Sequence, residues 1–397
     1  MKINRLICIM FIIGSGIFAS CYGGNVSYAL FYLALFIPII SFLYTLYVYI
    51  RFKIYQSMDS YMVVKGNWNN YSFIIANEDY IAFRDVKVKF LLDKSTIKKT
   101  EENMEYLLLP NDKVKMDTKI RCNYRGEYFI GVDSIEVSDF LYLFSIIYPI
   151  RTKLKVVVLP RVVPVEHLGI APTLIDSKNP IRFTNFDEED LDSEIRKYRP
   201  GDNKKRIHWK ASAKKMDLLS RKYNEKPKAE VVLFMDLTEI REDDLAVVVT
   251  EDKIIESILA IANYYLSKNT ASHIIYDMEG IKQIDIKSKD DFKVFYRACV
   301  NISFKSKTPV EELIVRRLQR GDKGMFYLVA THRLSKELYL SSLSVVSAGN
   351  RLCILFISNN LSKVTNNLIG DMRRAGVDVH QILPDNEIEE VLSYKEI

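Results

Sequence analysis

Two apolar runs joined by a short turn constrain this chain more than any other feature. Leu6 to Tyr22 carries no charge, and Tyr28 to Ile50 carries none either. Gly23-Gly24-Asn25-Val26-Ser27 separates them. At about 1.5 Å per residue the second run reaches across a hydrocarbon core of roughly 30 Å. Lys2 and Arg5 precede the first run, and Arg51 and Lys53 follow the second. Basic residues at both outer ends, with none in the turn, predict a two-pass hairpin in the plasma membrane with both ends cytoplasmic. Phe18-Ala19-Ser20-Cys21 weakly resembles a lipoprotein cleavage site, so a cleaved signal competes with the hairpin. Phe is unusual in that motif, and either reading leaves the large C-terminal part in the cytoplasm.

A chain of 397 residues is too long for one ordinary domain and suits two soluble domains after the hairpin. From about Tyr55 to Leu159 the pattern is that of short strands. Val86, Val88 and Phe90 alternate with charged residues, as do Val114, Met116, Thr118, Ile120 and Cys122, and then Tyr128, Ile130 and Val132. Turn signals at Lys65-Gly66-Asn67, Asn77-Glu78-Asp79, Pro110-Asn111-Asp112 and Arg125-Gly126 punctuate them. This spacing predicts a small antiparallel β-sandwich over 55–159, after a hairpin over 1–54.

Pro160, Pro164, Pro172 and Pro180 mark a connector over 160–228. From about Ala229 apolar runs alternate with helical patterns. Val231–Asp236, Ala271–Tyr276, Met325–Ala330, Arg351–Ile357 and Val377–Leu383 read as strands. Helices are expected over Glu251–Leu266, with Thr250 as N-cap, and near Pro309–Gln319, Ser335–Ser347, Leu361–Arg374 and Asp385–Leu392. Such alternation predicts a mostly parallel, Rossmann-type α/β domain over 229–397.

The connector holds the densest chemistry. Ten Lys/Arg stand against Asp217 and Glu225 between Lys204 and Lys228. An acidic block, Asp187, Glu188, Glu189, Asp190, Asp192 and Glu194, lies just upstream. The two blocks either pair with each other or leave a basic face for an acidic partner or anionic lipid. Nucleic acid is disfavoured, because the remaining chain is near neutral and the patch has one Trp. Five scattered cysteines, Cys8, Cys21, Cys122, Cys299 and Cys353, with no Cys-x-x-Cys, imply neither a disulfide framework nor a zinc site.

Within this connector runs Tyr198-Arg199-Pro200-Gly201-Asp202, then Arg206-Ile207-His208-Trp209-Lys210-Ala211-Ser212-Ala213-Lys214. Pro-Gly-Asp is turn chemistry, and the alternation after it predicts an extended exit. Trp209 is then either a buried anchor of a tight connection or part of a surface site. The order of these residues resembles the domain of unknown function 58 family, departing at Lys214, where the family usually has Arg. Arg125-Gly126-Glu127-Tyr128 also fits the family, whereas Asp139-Phe140-Leu141-Tyr142-Leu143-Phe144 lacks the family's Pro and Gly. The resemblance implies membrane-anchored bacterial proteins with a von Willebrand factor A-like domain that act as accessories of MoxR-type AAA+ ATPases. On that basis Tyr198, Pro200, Gly201, Asp202, Arg206, His208 and Trp209 are the candidate functional surface of an interaction module rather than an enzyme.

Two further sites are suggested by residue types. Asp236 and Thr238 stand at the end of the first α/β strand, where the von Willebrand fold often holds Mg²⁺ through oxygen ligands. Ile240 cannot ligate, and Thr331-His332-Arg333 brings a cation where a second acid is expected, so a degenerate site is predicted. His208 and Ser212 would share one face of an extended segment, and a hydrolase or peptidase-like pair is the alternative function. No phosphate-binding loop, Gly-x-Gly-x-x-Gly, His-Glu-x-x-His or Gly-x-Ser-x-Gly is present. His167, His273, His332 and His380 are isolated in the sequence.

Overall fold

The structure is a computed structural model, and it describes residues 2–98, 103–150, 153–169, 193–199, 207–223, 230–241, 244–321, 324–358, 362–383 and 386–393. The chain divides into two compact units, one of 1–161 with 296–302 and one of the remainder.

The first unit begins with α1 (Lys2–Tyr22) and α2 (Gly24–Arg51), which pack against each other. Both are long and apolar enough to cross a membrane, and few of their side chains are buried. Ten strands come next: β1 (Lys53–Met58), β2 (Met62–Val64), β3 (Trp68–Ala76), β4 (Phe83–Leu91), β5 (Ser95–Ile97), β6 (Asn103–Leu108), β7 (Lys113–Cys122), β8 (Gly126–Ser138), β9 (Ser145–Pro149) and β10 (Leu154–Leu159). They form a four-stranded sheet, β1-β3-β7-β5, and a six-stranded sheet, β2-β10-β8-β4-β6, with β9 also on β8. All pairs are antiparallel except β2–β10, where Met62–Val64 runs parallel to Val157–Leu159. The period-2 alternation buries Tyr71, Phe73 and Ile75 of one sheet with Val86, Val88, Ile130 and Val132 of the other in one core. Val48 and Phe52 at the end of α2 join that core. The strand turns fall at the Gly, Asn and Asp clusters, and Gly66 (φ +83°) and Asn111 (φ +59°) supply left-handed backbone there.

The second unit contains a hairpin, β11 (Ser193–Lys197) with β12 (Leu219–Tyr223), and the short α3 (Trp209–Lys215) between its strands. Beyond it lies a six-stranded sheet made of β13 (Val231–Met235), β14 (Ser272–Asp277), β15 (Ile281–Ile286), β16 (Phe326–Thr331), β17 (Arg351–Ile357) and β18 (Asp378–Ile382). Its order is β15-β14-β13-β16-β17-β18, parallel throughout except for the β14–β15 pair. The helices are α4 (Asp244–Ser267), α5 (Lys289–Ala298), α6 (Val310–Leu318), α7 (Lys336–Ser347), α8 (Lys363–Arg374) and α9 (Ile388–Leu392).

Val232, Phe234, Tyr327, Val329, Ile354 and Phe356 pack on the buried faces of α6, α7 and α8. Alternation turns Leu233, Leu328 and Cys353 to the opposite face, where α4 contacts β13, β16 and β17. Serine caps set two of the helix starts: Ser335 Oγ accepts from Leu338 N at 3.0 Å, and Ser362 Oγ accepts from Thr365 N at 3.1 Å. Thr250 is no cap, because α4 begins at Asp244 and Thr250 lies buried inside it. The stretch before it, Leu245-Ala246-Val247-Val248-Val249, is helical too, although its three valines have a strand preference.

Candidate functional site

The segment between β11 and β12 folds differently from its sequence pattern. Tyr198 N donates to Leu218 O at 2.8 Å, continuing the hairpin, and the chain returns at Ile207, which bridges Ser220. His208 N then donates to Leu219 O at 2.8 Å. Pro200, Gly201, Asp202 and Arg206 lie outside the described residues, as do Asp187 to Asp192 of the acidic block. A helix replaces the expected extended exit. Trp209 begins α3, and His208 Nδ1 accepts from Ala211 N at 3.3 Å as its N-cap. The two-residue alternation of Ile207 and Trp209 is too short to impose a strand, and Ala211-Ser212-Ala213-Lys214-Lys215 is compatible with helix. The helix stops at Met216, whose left-handed φ of +56° costs a non-glycine residue about 1 kcal/mol or more.

This geometry decides two open readings. Trp209 is 66% exposed, so it does not anchor a buried connection. Lys210, Lys214 and Lys215 are also exposed on the same short helix, Lys214 and Lys215 in its last turn, whereas Tyr198 is half-buried. Ser212 faces inward: its Oγ donates to His208 O at 3.0 Å and accepts from Leu219 N at 2.9 Å. His208 and Ser212 are therefore each committed to backbone groups instead of sharing one strand face. We expect Ser212→Ala to leave the Leu219 N–H buried and unpaired, lowering stability by about 1–3 kcal/mol in thermal unfolding. A melting temperature unchanged by that substitution would contradict the structural role of this hydroxyl.

The second cluster lies where carboxyl ends of parallel strands meet. Sites in open α/β sheets form where the connections leave in opposite directions from two adjacent strands, and here those strands are β13 and β16. Asp236, just past β13, is 1% exposed. Its Oδ1 accepts from Thr238 N at 3.1 Å and from Thr238 Oγ1 at 2.7 Å. Its Oδ2 accepts from Thr331 Oγ1 at 2.7 Å, at the end of β16. Arg333 Nε stands 3.6 Å from the same oxygen, and Arg333 Nη2 donates to Glu311 Oε2 at 3.1 Å. Ser335 Oγ donates to Glu311 Oε1 at 2.5 Å, so a chain of charge-assisted contacts joins β13, β16, α6 and α7.

His332 Nδ1 lies 4.0 Å from Asp236 Oδ2. Burial pushes its imidazole below the ordinary value; Asp236 opposes this and Arg333 adds to it. On the neighbouring strand end, Ser306 Oγ donates to Asp277 Oδ2 at 2.6 Å and helps hold that carboxyl below the usual range. Thr238 bridges Ser306, which places the two strand ends side by side.

These donors do not fit a divalent cation. Mg²⁺ asks for near-octahedral oxygen ligation, whereas both oxygens of Asp236 already accept hydroxyl hydrogen bonds and a fixed guanidinium lies 3.6 Å away. Ile240 is buried and offers no oxygen from its side chain. Among the described residues no three His, Cys, Asp or Glu side chains converge as a metal set. The sequence signalled Asp236, Thr238 and Arg333. It did not signal Glu311 or Ser335, whose roles depend on how α6 and α7 pack.

A family described as "Protein of unknown function DUF58" matches residues 194–280, from β11 through the turn after β14. Residues 194–280 are a DUF58 segment. It contains the whole Tyr198-to-Lys214 motif, α3 and Asp236, so both clusters have residues within the DUF58 match. No curated protein matches the chain. Among solved structures, the CARDB domain of the PF1109 protein from Pyrococcus furiosus is 15% identical, over 27% of this chain and 87% of that one, with a TM-score of 0.20. The secreted serine protease VesC from Vibrio cholerae is 9% identical over 33% of this chain and 27% of its own, with a TM-score of 0.20. Cwp6 from Clostridium difficile is 10% identical over 83% and 53%, with a TM-score of 0.17. At such scores none of the three bears on the fold or the function of this chain.

Proposed function

We propose that this DUF58 chain is a membrane-anchored interaction module that works with a MoxR-type AAA+ ATPase in assembling or maturing membrane or envelope proteins. The exposure of Trp209 carries this reading. A Trp left 66% exposed inside the family motif, on a short helix with three lysines, is spare recognition chemistry. In this reading α1 and α2 cross the plasma membrane, with both outer ends cytoplasmic. The two sheets over 55–159 act as a β-sandwich spacer, and the second unit is a von Willebrand factor A-like domain. The strand order supports that last assignment: numbered along the chain it runs 3-2-1-4-5-6, the doubly wound order, with the third strand reversed. The interaction surface is Tyr198, Pro200, Gly201, Asp202, Arg206, His208 and Trp209. The strand-end cluster around Asp236 is structural in this scheme and holds no metal.

The test is crosslinked affinity purification from native membranes, with wild type beside Trp209→Ala and Arg206→Ala. Because Trp209 is exposed, its truncation should change stability by no more than about 0.5 kcal/mol. An AAA+ ATPase recovered with wild type and lost with folded Trp209→Ala is the expected result. Equal recovery from both would remove the motif from the docking surface, and no ATPase from wild type would end the partnership reading.

A further inference from the structure

We infer that the turn Asp139–Phe144 is a membrane seat that embeds the helix-proximal end of the first unit in the interfacial layer of the bilayer. The inference rests on the membrane reading above and adds to it the depth at which the folded part begins. The two helices reverse at Gly23 and Gly24, both with positive φ, so depth can be counted from that reversal along either helix. Arg5 and Ser41 each lie roughly 18 residues from it, or about 27 Å, close to the thickness of a hydrocarbon core.

At that level the turn joins both helices. Asn4 Nδ2 donates to Leu141 O at 2.9 Å, and Arg5 Nε donates to Leu143 O at 2.6 Å. On the other helix Ser41 Oγ donates to Asp139 Oδ2, and the Phe144 ring packs edge-on against Phe42 at 5.5 Å. Phe140 packs on Tyr44 at 4.8 Å between ring centroids. Asp139 is fully buried, and its Oδ1 accepts from Phe144 N at 2.9 Å, which closes the turn on itself.

The outer side of this tied-down turn is apolar. Phe140 is 44% and Leu141 is 41% exposed, at the level of the exposed Leu43 and Leu46 of α2. Past this level the inner face of α2 changes surroundings: Val48 and Phe52 enter the β core, and Arg51 pairs with Asp79 at 2.8 Å. Aromatic and aliphatic tips beside a basic residue and a buried carboxylate match the boundary between acyl chains and headgroups. The second span therefore ends near Ser41, short of Ile50 where the apolar run ends.

The test uses the full chain in phosphatidylcholine vesicles, with Cys8 and Cys21 replaced by Ser; the other three cysteines are buried. Single cysteines at Leu33, Leu141 and Asn67 carry an environment-sensitive fluorophore, read with a lipid-borne and a water-soluble quencher. Asn67 is the aqueous reference, since β1 carries the chain away from α2 toward the turn before β3. The expected result is that the lipid-borne quencher acts on Leu33 and Leu141 at least about twofold more strongly than on Asn67. Leu141 behaving like Asn67 while Leu33 is quenched from lipid overturns the seat and leaves the anchor standing. Leu33 behaving like Asn67 overturns both.

Discussion

Replacing Asp236 with alanine should lower the melting temperature of the full-length protein by roughly 6–12 °C. Its carboxylate is buried and receives two hydroxyls and one backbone N–H, with Arg333 at 3.6 Å. Removing the shared acceptor of this network costs about 3 kcal/mol, because its buried hydroxyl and N–H donors are left without a partner. A domain of this size loses about 2–4 °C per kcal/mol. Arg333 retains Glu311, which places the expected loss toward the lower end of that range. Calorimetry on wild type and Asp236→Ala in the same detergent measures it. Asp236→Asn keeps the shape and one acceptor and should fall between the two. A melting temperature within about 1–2 °C of wild type would mean that the network does not hold the strand ends together.

In the first unit the largest loss is expected from Gly131→Val. Gly131 sits in β8 with φ +90°, a conformation open to glycine and costly to a β-branched residue. A Cβ there would collide with Gln56 Oε1 and lie 3.0 Å from the Tyr71 hydroxyl. Those atoms are already committed: Gln56 Oε1 accepts from Tyr71 at 2.7 Å and from Val132 N at 2.8 Å. Tyr71 is 1% exposed, and burial raises its phenol above the ordinary value. Strain and overpacking each cost about 1–3 kcal/mol, so the combined loss should exceed roughly 3 kcal/mol. Gly126→Val is the control, since Gly126 has φ +122° and open space around its would-be Cβ. Urea unfolding that shows equal losses at the two glycines would assign the effect to backbone strain and remove the contact from the explanation.

Much of the strand and helix inventory was legible from local pattern. Val86-Val88-Phe90 became β4, the Val114-to-Cys122 alternation became β7, and Arg351–Ile357 became β17 with the same bounds. Turn chemistry at Lys65-Gly66-Asn67 and Pro110-Asn111-Asp112 also fell between strands. Other elements escaped. β15 reads Ile-Lys-Gln-Ile-Asp-Ile and lies exposed at a sheet edge, so its apolar signal is weak. α3 was hidden by a two-residue alternation and revealed by a histidine cap, which no propensity scale favours strongly. The second apolar run, Tyr28 to Ile50, lies within α2, and the apolar pattern alone does not mark where Val48 and Phe52 turn into the β core.

What the sequence determined by itself was therefore local and periodic: two apolar helices, a set of short strands, a β-α alternation, and the order of motif residues that marks the DUF58 segment. The period of burial and the φ demands of Gly, Pro and Asn act over a few residues, and they can be read without knowing any partner. Only the tertiary structure decided that Trp209 faces solvent and that Ser212 faces inward. It alone also placed Thr331 and Glu311 around the Asp236–Arg333 pair. Those outcomes depend on which strands become neighbours, and Thr331 reaches Asp236 across 95 positions of chain. Pairing over such distances is set by summed burial and hydrogen bonding across the whole sheet, which no short window of sequence contains.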